Sequence, residues 1–95
     1  MAGMFFKTYG MSVINIANFN TANVQNMQDM FRLTGAVTIK ASALFTTNSV
    51  IDSSRMFMDA VHLVGQNGTA YNAANPQDKT YARQDVAGLP GYFTF

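Results

Sequence analysis

Phe19-Asn20-Thr21-Ala22-Asn23-Val24-Gln25-Asn26-Met27-Gln28-Asp29-Met30-Phe31 decides the fold, because the dipeptide that closes it recurs. Met4-Phe5 stands 26 residues before Met30-Phe31, and Met56-Phe57 stands 26 residues after it. The chain is therefore an internal repeat within a single domain, 1–95. Units 4–29 and 30–55 are followed by a divergent unit, 56–81, and a closing segment, 82–95.

A fixed period of about 20–29 residues marks a leucine-rich-repeat solenoid. The expected fold class is α/β: a short leucine-rich-repeat-like solenoid of 26-residue helix–strand repeats, with parallel strands and an irregular C-terminal cap. Outward from Met30-Phe31, the apolar residues Val24, Met27, Met30 and Phe31 recur at i, i+3, i+6 and i+7, one face of a short helix. Asn23 stands where an N-cap belongs, its side-chain oxygen able to accept from a free helix N–H. Upstream, Met11-Ser12-Val13-Ile14-Asn15-Ile16 reads as a strand with Met11, Ile14 and Ile16 inward. Phe19 drops into the core from the polar turn between strand and helix.

In unit 2, Phe45, Thr47, Ser49 and Val50 fall under Phe19, Thr21, Asn23 and Val24. The strand matches less well: Ile14 and Ile16 fall over Lys40 and Ser42. Val37, Ile39 and Ala41 alternate with period 2, the mark of a strand in a different phase. In unit 3, Tyr71 falls under Phe45. Asn75-Pro76 places proline at a first helical position behind a cap, with Asp78 beside the free N–H groups of that end. Tyr92, Phe93 and Phe95 are expected to fold over the end of the stack. The opposite end shows Met4, Phe5 and Phe6 with no polar cap, so they form a candidate stacking edge. That end reads as cut from a longer array, or as covered by another copy.

Composition narrows the function. There is no Cys, hence no disulfide and no thiolate metal site. No Glu and a single histidine, His62, leave the usual acid–base and nucleophile sets without members, so no catalytic residue, cofactor or metal is assigned. His62 and Asp59 are too few ligands for zinc. Asn67-Gly68-Thr69 reads as a turn before it reads as a glycosylation acceptor. A net charge of +1 offers no basic stripe for nucleic acid. No apolar run reaches the ~18 residues of a membrane span, and Met1 to Gly10 lacks the pattern of a secretory signal. Only 12% of residues are charged, about half the usual quarter, so amides and hydroxyls carry the surface polarity. Such a surface suits extended contact with a partner.

The residues also carry a family resemblance. Phe19 to Phe31 resembles the repeat of BspA-like leucine-rich-repeat surface proteins of bacteria. Leu63-Val64-Gly65-Gln66-Asn67-Gly68-Thr69-Ala70-Tyr71 looks like the family's segment after the last repeat. Thr80-Tyr81-Ala82-Arg83-Gln84-Asp85 and Pro90-Gly91-Tyr92-Phe93-Thr94 look like its closing pieces. The family's Cys column holds Thr8, Thr34 and Ala60 here, and the leucines of unit 2's strand are missing. The resemblance implies a non-enzymatic protein-binding or adhesion module at the cell surface or secreted, with a protein ligand or host surface protein as partner. The candidate binding face is the strand ladder, Ser12, Val13 and Asn15, then Thr38, Ile39 and Ala41, then Val64. The alternative is a structural subunit that self-assembles into oligomers or filaments through its apolar N-terminal edge.

Overall fold

Each Met-Phe stretch folds as a run of overlapping turns, and not as a helix. The computed structural model describes residues 1–95. In the second unit the amides of Met30, Arg32 and Thr34 donate to the carbonyls three residues back, Met27, Asp29 and Phe31, at 3.2 Å each. The third unit repeats this with Met56, Met58 and Ala60. The intervening amides reach sideways to the next unit. Phe5 donates to Met30 (2.9 Å), Lys7 to Arg32 (3.0 Å), Phe31 to Met56 (2.8 Å) and Leu33 to Met58 (2.9 Å). Half of each tier's bonds are thus local and half depend on a neighbouring tier.

The expected solenoid of helix–strand repeats is therefore corrected: there is no α-helix. The one helical element is a single 3-10 turn, Lys79–Tyr81, capped by Asp78, whose carboxylate accepts from the Thr80 N–H. Left-handed backbone at Gly3, Asp29 and Arg55, and again at Lys7, Leu33 and Asp59, recurs with the repeat. In the turns from Met27 to Met30 and from Phe31 to Thr34 it falls at the third residue, where a type II turn needs positive φ. A right-handed helix cannot run through such residues. The apolar spacing misled because successive three-residue turns also bring i and i+3 to one side. Asn23 and Ser49 cap nothing; the Ser49 hydroxyl instead donates to the Ala22 carbonyl at 2.6 Å.

Lys7 tests this geometry. It is exposed at φ 58°, where a side chain is strained and glycine is not. Lys7→Gly is expected to leave stability unchanged or raise it by up to about 1 kcal/mol, whereas at a helical position the same change costs ~1 kcal/mol. Urea unfolding separates the two.

Three short strands, β1 (Val13–Asn15), β2 (Thr38–Lys40) and β3 (Phe93–Thr94), form one parallel sheet in the order β1-β2-β3. Ile14 pairs with Ile39, one residue short of the repeat, while the hydroxyls of Thr8 and Thr34 still meet across the full 26 (2.7 Å). The phase change legible in Val37, Ile39 and Ala41 is thus real. It turns Ile39 and Ala41 inward beside Ile14 and Ile16, and leaves Val37 and Met11 exposed. The third strand comes from the closing segment and not from unit 3. Val64 contributes one hydrogen bond, to the Val37 carbonyl at 2.8 Å.

The core follows the Met-Phe columns. The rings of Phe5, Phe31 and Phe57 stack at 5.5 and 5.4 Å, nearly parallel. Phe93 meets Phe31, Phe45 and Phe57 edge-on, and Tyr92 closes over Phe57 at 5.2 Å. Met27, Met30 and Met56 are fully buried, but Met4 is half exposed. Burying each such side chain is worth roughly 1.5–3 kcal/mol, and each aromatic pair adds about 0.5–1.5 kcal/mol. Of the three residues expected to fold over the end, Tyr92 alone covers the last ring; Phe93 instead joins the sheet beside β2 and packs against the flank of the column, and Phe95 remains exposed.

Candidate functional site

The strand ladder splits in two. Val13 and Asn15 stand exposed on β1 and Ser12 beside them, while Thr38 and Val64 are half-buried. Ile39 and Ala41 are buried, at 0% and 2% exposure, so they leave the candidate face. The one-residue shift puts Lys40 in their place, between Asn15 on β1 and Thr94 on β3. The outer face of the sheet is therefore the row Asn15, Lys40, Thr94 with Val13 and Thr38 beside it. Sequence reasoning missed Lys40 and Thr94. The alternation of Val37, Ile39 and Ala41 carried the signal for Lys40; nothing local announced Thr94, which joins the sheet only through the chain's return.

A cleft of ≈ 390 Å³ is lined by Tyr9, Leu33, Thr34, Gly35, Asp59, Val61 and His62. At Gly35 a Cβ would stand 2.7 Å from the Tyr9 carbonyl oxygen. Asp59 and His62 thus share one cleft, both exposed.

The closing segment is held by Asp85, a carboxylate that is 1% exposed. Its Oδ2 accepts from the Asn67 and Thr69 amides at 2.9 and 3.0 Å. Its Oδ1 accepts from the Thr69 hydroxyl at 2.7 Å and the Gly91 amide at 3.3 Å. Burial pushes this carboxyl up, but the bonds from Thr69, Gly91 and Asn67 together outweigh it and hold the group below the usual aspartate value. Asn67-Gly68-Thr69 is accordingly a turn, with Gly68 at φ 89°, wrapped around Asp85. Gly65 is required there: a Cβ would lie 2.6 Å from the Asp85 carboxylate. Asp85 is structural, pinning the segment that delivers β3.

At the other end, Met4 and Phe6 are exposed and Phe5 half-buried. Lys7 and Arg32 lie over the Phe6 ring at 5.3 and 5.6 Å. Asp29 joins the second tier to the third through Arg55 Nε at 2.9 Å. No helix is long and apolar enough to cross a membrane.

These features define a class: a tandem-repeat protein of stacked turn tiers edged by a small parallel sheet, presenting surfaces on its flank and at one end. Within that class the chain matches, over residues 1–88, the family described as "Mycoplasma protein of unknown function, DUF285", and it belongs to that family. No curated protein and no solved structure matches it.

Proposed function

We propose that this chain is a non-enzymatic protein-binding or adhesion module of a bacterial surface or secreted repeat protein, of the BspA-like kind its repeats resemble. The observation that carries the reading is the outer face of the sheet. Val13, Asn15 and Lys40 are exposed in register across adjacent strands, on a scaffold whose core is packed to its centre. A flat face of mixed hydroxyl, amide and ammonium groups around one valine suits a protein partner, whose own main chain supplies the complementary donors and acceptors. The scarcity of Glu, Cys and His supports a binding role over a catalytic one. The exposed Met4 and Phe6 also suit a second reading, a structural subunit that assembles through this edge, but the direction of the edge's hydrogen-bonding groups opposes it.

Binding of the purified chain to a panel of immobilised extracellular-matrix proteins tests the first reading. A Val13→Asp/Lys40→Glu variant with unchanged melting is expected to lose at least about tenfold in affinity for any protein bound, the loss of one central contact of ~1.4 kcal/mol. Equal binding by the variant would remove the sheet face from the proposal.

A further inference from the structure

The tiers have a polarity, and it decides what the N-terminal face can hold. Within the stack, the amides of one tier donate to the carbonyls of the next. Gln28, Met30 and Arg32 accept from the first tier, and Ser54, Met56 and Met58 accept from the second. The residues of the first tier in those same columns are Ala2, Met4 and Phe6. Their carbonyls accept no hydrogen bond within the chain. The face therefore presents three acceptors at alternate residues, beside the half-buried Phe5 ring whose other side rests on Phe31. Met1 stands in the column of the fully buried Met27 and is itself only partly covered.

The far end of the stack does not offer the matching surface. There the donors in the columns of Phe5 and Lys7 are those of Phe57 and Asp59. The Phe57 amide already donates to the Gln77 carbonyl at 2.9 Å, and the Asp59 amide to the Tyr71 hydroxyl at 3.1 Å. The outer side of Phe57 is covered by Tyr92. The Arg55 amide, in the column of Gly3, makes no such bond, so a head-to-tail copy would meet one free donor of the three and a ring already covered. A two-fold contact between N-terminal faces would set acceptor row against acceptor row, leaving both unpaired.

We infer that the N-terminal face is an acceptor edge for one further tier of this same repeat, with donors at alternate residues and a phenyl ring over Phe5, and not for a second copy of this chain. The chemistry is that of a parallel ladder: three N–H groups at i, i+2 and i+4 meet the carbonyls of Ala2, Met4 and Phe6. A phenyl ring meets Phe5 as Phe5 meets Phe31. This goes beyond the proposed binding role of the sheet face, which involves none of these residues.

The full chain carrying a second copy of residues 4–29 ahead of Met4 tests it. Stacked repeats add their interface terms, so a single unfolding transition shifted up by about 5–15 °C is expected. A Phe→Asp substitution at the position of Phe5 in the added copy is expected to abolish that shift. An unchanged melting temperature, or a separate transition for the added unit, would overturn the inference. Sedimentation of the unextended chain is the second arm. A monomer at high concentration agrees with the polarity, whereas an oligomer dispersed by Met4→Asp or Phe6→Asp would show that a second copy fills the face.

Discussion

Phe31→Ala is expected to lower the unfolding free energy by about 3–5 kcal/mol, the range for truncating a fully buried phenyl ring. In a chain of this size that is a fall in melting temperature of roughly 12–40 °C. Phe31 has no exposed surface, and it is the middle of three stacked rings, with Phe93 against its edge. The cavity would open between all three tiers, and the amides of Phe5 and Phe31 cross that same gap. Phe6→Ala is the control. That ring lies at the surface between two cations, and its loss is expected to cost less than ~1 kcal/mol. Urea titration of both variants decides the matter: similar small losses would mean that the ring column is not the core.

Asp85→Ala is the second large effect, about 3–5 kcal/mol. It strips four donors of their common acceptor, and an unpaired buried donor costs roughly 1–3 kcal/mol unless water reaches it. The loss is expected to unfasten the closing segment first, so that protease cuts between Val86 and Leu89 before the tiers unfold. The same carboxylate carries a pH dependence. Its folded pKa lies below the unfolded value, so its contribution is complete above the ordinary aspartate value of about 3.9. That contribution is lost as pH falls through the lower folded value. Asp78, held down by the hydroxyl and amide of Thr80, shifts in the same direction. Unfolding at pH 7 and near pH 3 is therefore expected to show a larger acid loss for the natural chain than for Asp85→Asn. Parallel curves would sink the assignment.

What was legible in the sequence was whatever the repeat imposes on single columns. Met30, Phe31, Met56 and Phe57 belong inside on their columns alone and are inside, because an apolar side chain repeated at a fixed period has to meet its own copies. The change of phase at Val37, Ile39 and Ala41 was visible for the same reason. The secondary structure was not. Apolar residues three apart satisfy a helix and a chain of turns equally, and the choice rests on where the amides of Phe5, Asp29, Phe31 and Leu33 go. Each reaches a carbonyl one tier away, and no local preference encodes that destination.

The candidate site divides along the same line. The exposure of Val13, Asn15 and the edge residues Met4 and Phe6 follows from their columns alone. Thr94 became part of the sheet face only because Asp85 and Gly91 bring the chain's end back beside β2, a closure across more than fifty residues. The 26-residue period and the aromatic columns can be read from the residues without any coordinates. Only the tertiary structure shows that the tiers are turns, that the alternate amides of each Met-Phe turn donate to the following tier, and that the N-terminal face is therefore a row of acceptors. Direction is a property of a bond between two tiers, and a single tier read alone has none.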